Sequence, residues 1–236
     1  MYNSDMRKLI SLSAVFIYAG LMSGCSSIMV FQKAKTVDKG AFETGAGVAA
    51  GSYSSRRTIA NMDLTMPSWS GNIWLRYGIL NNWDSGLNVA LPGNLTADTK
   101  VMFLNEAKGA PLTLSGGFAY GFSAGDAATN ADSVQKVTDY IVPLYVSKDI
   151  ADWLTFYVSP RYFYRRTYNE VRHNGAPSDT ETIYDNMWGL GAGLSFNITD
   201  KNRFMLECQK TAPFKDGSFS SVQCGAGLAV GWGGSK

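Results

Sequence analysis

From residue 40 onward the chain alternates apolar and polar side chains at every second position, the period of a strand that meets different surroundings on its two faces. The alternating runs fall near 40–53, 68–80, 83–91, 95–105, 111–122, 138–146, 153–166, 184–197, 203–210 and 218–232. No sustained helical period with caps interrupts them. One face of the second run carries Trp69, Ile73, Leu75, Tyr77 and Ile79, and the other Ser70, Asn72, Trp74, Arg76 and Gly78. The seventh opposes Leu154, Phe156, Val158, Tyr162 and Tyr164 to Thr155, Tyr157, Ser159, Arg161 and Arg165. The third, eighth and tenth runs split in the same way. In each, a continuous apolar face ends in Trp, Tyr or Phe.

The connections alternate as well. Residues 81–82, 106–110, 147–152 and 198–202 form short links, while 54–67, 123–137, 167–183 and 211–217 are longer. Only Pro92-Gly93-Asn94 is short where a long link is due. Short turns at one end and longer loops at the other, with aromatic-edged apolar faces, are the pattern of a β-barrel that crosses a membrane with its apolar faces outward. A soluble barrel would turn those faces inward and would not gather aromatics at strand ends. The fold expected is therefore all-β: an antiparallel up-and-down transmembrane barrel of about ten strands. The stretch Arg76-Tyr77-Gly78-Ile79-Leu80-Asn81-Asn82-Trp83-Asp84-Ser85-Gly86-Leu87 resembles a recurrent hairpin of small outer-membrane β-barrel proteins of Gram-negative bacteria. That hairpin marks architecture and is shared by barrels of many activities. The C-terminal aromatic on which such barrels often end is displaced here, since Trp232 precedes Gly233-Gly234-Ser235-Lys236.

The first residues follow another logic. Arg7 and Lys8 precede an apolar run from Leu9 to Met22, too short to span a bilayer as a helix but suited to a secretory signal. Leu21-Met22-Ser23-Gly24-Cys25 resembles a bacterial lipobox, although its usual Leu three places before the cysteine is Met22. The resemblance implies a cleaved lipoprotein signal at residues 1–24 and a lipid on Cys25. Ser26 stands where an Asp commonly signals inner-membrane retention, so the resemblance points to the outer membrane, with the anchor on the periplasmic side. Residues 25–39 are then expected to be a lipidated tether, its run Ile28-Met29-Val30-Phe31 packing on lipid or on the barrel rim. The barrel itself is assigned to residues 40–236.

Composition fits this assignment. Charged residues are 17% and aromatics 13%, with 25 glycines, which argues against disorder. The balance of 21 basic and 19 acidic residues shows no concentrated patch for nucleic acid. If the apolar faces meet lipid, the lumen holds Glu43, Arg76, Asp84, Asp98, Lys100, Asp139, Arg161, Asp185, Arg203 and Glu207. A bracing network in a narrow barrel is one reading, and a polar conduit is the other. Inward glycines such as Gly45, Gly47, Gly117, Gly121, Gly191 and Gly227 leave space for Trp74, Tyr157, Phe163 or water.

Catalytic signals are weak. The sole histidine, His173, lies in the longest loop without a carboxylate beside it, so no catalytic residue, metal site or cofactor is expected. Cys208 and Cys224 lie eight residues on either side of Asp216, opposite one another if the hairpin closes there. An exported protein would oxidise them to a disulfide, and the alternative is two small apolar side chains in the lipid band. Arg56, Arg57, Arg165, Arg166 and Arg172 are candidate contacts for lipopolysaccharide phosphates, with plain surface solvation as the alternative. The expected partners are outer-membrane lipids, with lipopolysaccharide among them, and the assembly machinery that inserts barrels. The role expected is structural or surface-interacting; a passive solute pore comes next and an outer-membrane enzyme last.

Overall fold

The computed structural model describes residues 29–57, 62–91, 93–126, 133–173, 176–215 and 219–233. The expected signal peptide and Cys25 lie outside the described residues. Ten strands form: β1 Ala41–Arg57, β2 Met62–Leu80, β3 Trp83–Leu91, β4 Asn94–Leu104, β5 Thr113–Asp126, β6 Ser133–Ala151, β7 Leu154–His173, β8 Ala176–Asn197, β9 Asn202–Pro213 and β10 Phe219–Gly233. Each pairs antiparallel with its chain neighbours, and β1 closes the sheet against β10 from Ala41↔Gly233 to Ser55↔Phe219. Closure leaves no edge strand within the band, which is what allows a sheet to sit in hydrocarbon.

The alternation settles the faces as the sequence implied. Outward side chains such as Ile73, Leu87, Leu190, Leu228 and Val230 are exposed, while Asn72, Arg76, Asp84, Ser159 and Ser195 on the opposite face are buried. Two aromatic belts bound the apolar band. Tyr120, Tyr140, Tyr164 and Tyr184 line up across β5 to β8 with ring centroids 5.4, 6.2 and 6.0 Å apart. Trp153, Phe196 and Phe204 form the other belt, at 6.2 and 6.1 Å. Trp153, in the turn that opens β7, and Tyr164 on β7 are eleven residues apart; at about 3.3 Å per residue and a tilt of 35–45° that spans roughly 26–30 Å, the height of a bilayer core.

The end with short turns carries the second belt. There a 3₁₀ turn, Glu106–Lys108, is capped by the Asn105 side chain and closed by Gly109 at φ 90°, and Glu106 accepts hydrogen bonds from Lys148 and from the Asp149 amide (3.0 Å). At the opposite end the links expected as loops are largely strand. β7 runs past the Tyr164 belt to His173, and β8 starts at Ala176, with pairing kept from Arg165↔Asp185 to His173↔Ala176. Beyond the belt neither face meets hydrocarbon, so the two-residue hydrophobic rhythm fades while the backbone ladder continues. The rhythm therefore located the strands in the band and underestimated their length outside it.

Candidate functional site

The inner wall gathers the expected polar residues into separate clusters. Arg76 holds Asp84 in a short ion pair and stands 2.7 Å from Asp98. Lys100 is 3.7 Å from Asp84 and lies 5.3 Å above the Tyr145 ring. On the other side of the lumen Arg161 reaches Glu207 (3.4 Å), Gln209 (3.1 Å) and Ser159 (2.7 Å), and the Tyr157 hydroxyl donates to the same Glu207 (3.1 Å). Arg203 donates to Glu43 at 2.7 Å. Asp139 is paired with Arg165, which donates through Nε (2.7 Å) and Nη2 (2.8 Å), a bidentate geometry. Asp185 lies opposite Arg165 on β8.

This arrangement corrects one expectation. Arg165 was a candidate for lipopolysaccharide contact, but it is 6% exposed and bonded to Asp139 inside the barrel. Alternation put it on the inner face together with Arg161, and an extended β7 keeps that face enclosed at residue 165. Arg166, its neighbour, points outward beside the tyrosine belt, opposite Tyr184. The side chains of Arg56, Arg57, Arg172 and His173 lie outside the described ones, although all four residues stand at the outer ends of β1 and β7.

A second correction concerns the stretch before the barrel. Residues 29–39, expected as a tether, run up inside the lumen, and Met29, Phe31 and Ala34 are completely buried there. Met29 and Phe31, expected to pack on lipid or on the barrel rim, pack on the interior instead. Phe31 stacks on Trp74 at 5.6 Å, in a cluster with Met29, Ala49, Met205 and Ala229. Burial of two such side chains is worth about 1.5–3 kcal/mol each. Room for the two rings comes from glycine: a β-carbon at Gly45 would stand 2.1 Å from Trp74, and one at Gly47 2.8 Å from Phe31. Phe31 itself has φ 46°, a left-handed conformation that costs a bulky L-residue about 1–2 kcal/mol and bends the segment at this level.

Below Phe31 the segment is held mainly through its main chain. The Lys100 ammonium donates to the carbonyls of Lys33 (3.0 Å) and Lys35 (3.2 Å), Ser115 Oγ donates to the Ala34 carbonyl, and the Val37 amide donates to Asp84 (2.8 Å). Above it, Asn88 donates to the Met29 carbonyl at 3.3 Å. At the end with short turns the Gly40 amide donates to the Gly78 carbonyl (2.8 Å), leading into β1. Between Met29, Val30 and Gln32 and the wall residues Asn88, Thr96, Asp98, Asp139 and Arg161 a cavity of about 40 Å³ remains. That is room for water.

Outside the lumen, Cys208 and Cys224 face one another across β9 and β10 on the outward face and are joined by a disulfide. Among the described residues no group of three His, Cys, Asp or Glu side chains is placed to hold a metal ion.

The family model described as Membrane bound beta barrel domain (DUF5777) matches residues 26–234. Among solved structures, the chain is similar to the attachment invasion locus protein Ail of Yersinia pestis, with 12% identity, a TM-score of 0.41, and 82% of this chain and 99% of that one covered. It is similar to neisserial surface protein A at 14% identity and TM-score 0.43, covering 81% and 99%. For the outer-membrane protease OmpT of Escherichia coli the values are 9%, 0.48, 85% and 100%. No curated protein matches the sequence.

Proposed function

We propose, from the premise that this chain belongs to the membrane-bound β-barrel domain family DUF5777, that it is an outer-membrane barrel closed to solutes, acting as a structural or surface-interaction element and not as an enzyme. One observation carries this reading: residues 29–39 run inside the lumen against paired charges, with Met29, Phe31 and Ala34 completely buried and a water-sized cavity beside Met29, Val30 and Gln32. A pore needs a continuous wet path, and the stacked rings of Phe31 and Trp74 stand inside the lumen where such a path would run. The reading places the action on the outside, where the β7–β8 hairpin stands beyond the tyrosine belt and Arg166 is exposed to lipid phosphates. It retains a lipid on Cys25 as the second attachment to the membrane, and insertion by the barrel-assembly machinery.

The test is single-channel recording of the full chain in planar bilayers, alongside its heat-modifiable gel mobility as proof of folding. The expected result is a folded barrel without steady current. Steady ohmic conductance from the folded barrel would replace this reading with the passive pore. The anchor is tested by mass spectrometry of the mature N-terminus, where diacylglycerol on Cys25 is the expected modification.

A further inference from the structure

The bonds that seat residues 29–39 share one property. Lys100, Ser115 and Asn88 donate to main-chain carbonyls, and Asp84 accepts from a main-chain amide. Side chains of the segment add little to this. Gln32 Oε1 is buried without a partner, and the side chains of Lys33 and Lys35 make no hydrogen bond to the wall in the described structure. Thr36, which donates to the Asn81 carbonyl at 3.3 Å, the packing of Met29 and Phe31, and the small completely buried side chain of Ala34 are the features that depend on residue type. Lys100 and Ser115 together reach three consecutive carbonyls, 33, 34 and 35, where the backbone bends, so the wall recognises a bent main chain and not the straight row of atoms that a sheet edge presents. The same wall groups would meet the same main-chain atoms in another peptide with a large apolar side chain at the Phe31 position.

Two further features speak for reversible seating. Phe31 is held in the left-handed region, so the seated state is strained at its apolar anchor. The wall charges are also largely paired with one another: Arg76 with Asp84 and Asp98, Arg161 with Glu207, Arg165 with Asp139, Arg203 with Glu43. They do not depend on the segment to be neutralised, and of the charged wall groups Lys100 and Asp84 exchange main-chain partners for water if the segment leaves.

We infer that the lumen is a binding channel for a bent polypeptide segment, read through its main chain, and that residues 29–39 are its resident and displaceable ligand. The inference deepens the closed-barrel reading and rests on it only for the consequence that departure of the strand would open a path.

The test uses the full chain carrying Ala34→Cys, a position completely buried when the strand is seated. Labelling of residue 34 by a water-soluble maleimide, read by peptide mass mapping, reports the unseated fraction. Adding Lys100→Met or Ser115→Ala should raise the labelling rate, about tenfold or more for Lys100→Met, where two charge-assisted bonds are lost. Replacing Gln32, Lys33 and Lys35 together by Ala should leave the rate within about twofold. A free peptide of the 29–39 sequence with Lys33 and Lys35 changed to Gln should raise it when added above the millimolar effective concentration of a tethered segment. Heat-modifiable mobility confirms folding of each variant. The inference is overturned if folded wall variants label no faster than the parent, if the side-chain variant labels as fast as they do, or if the peptide has no effect. A conducting barrel whose residue 34 stays protected would count against the closed-barrel reading alone.

Discussion

Arg76 shows how far a single side chain can be read in advance. Its place on the polar face of the second run was evident from alternation, and so was the need for a buried cation to find acids. Its partners, Asp84 on β3 and Asp98 on β4, were not, because they follow from strand register around the closed wall. Removing the guanidinium leaves two carboxylates buried without their cation, so Arg76→Leu should cost about 3–5 kcal/mol in urea unfolding from lipid vesicles. Adding Asp84→Asn to that variant should recover part of the loss, since one uncompensated charge is then gone. Phe31 is the opposite case: nothing in the sequence marked it as a lumen residue with a left-handed backbone. Phe31→Gly should relieve the backbone strain yet lose the stack on Trp74, with a net shift toward the unseated strand that a red-shifted tryptophan emission would report.

Elements were legible where a bilayer imposes contrast and blurred where it does not. β3 begins and ends at the residues its alternation gave, whereas β7 and β8 exceed theirs by seven and eight residues at the outer end. That extension carries a prediction: an epitope inserted between His173 and Ala176 should be reachable by antibody on intact cells, and failure to label would invert the assigned orientation. The β9–β10 hairpin carries another. Its disulfide closes 16 residues of chain, for which loop entropy gives an upper bound of about 3 kcal/mol. The double variant Cys208→Ser, Cys224→Ser should therefore lower stability by less than that, and the parent alone should change mobility between non-reducing and reducing gels. At the short turns, hydrogen bonds from Lys148 and from the Asp149 amide hold the Glu106 carboxyl below its usual range. A carboxylate depressed in the folded state keeps its brace above the ordinary glutamate range and loses it as pH falls through the lowered value, which NMR titration of Glu106 would follow.

At the scale of the whole molecule, the seated strand and the proposed anchor pull against each other. Four residues join Cys25 to Met29, a reach of at most about 14 Å, while the Met29 carbonyl is bonded to Asn88, five residues above the turn end of β3. A lipid in the periplasmic leaflet must therefore draw the chain back down a lumen that is already filled. Cys25→Ser should accordingly slow maleimide labelling of Ala34→Cys, and an unchanged rate would show that anchoring and seating are independent. The sequence by itself determined the strands, their number, and which face of each meets lipid, because a period of two against hydrocarbon is a local property written in consecutive residues. It also placed the lumen charges on the correct face. Only the tertiary structure decided which charges meet, that the wall still encloses Arg165 at its height, and that residues 29–39 occupy the space the inner glycines leave. Those outcomes depend on strand register and closure, which bring together residues as far apart as Asn88 and Met29 or Arg203 and Glu43. A barrel interior has no sequence signature of its own, since its contents are fixed by what the closed wall can bond.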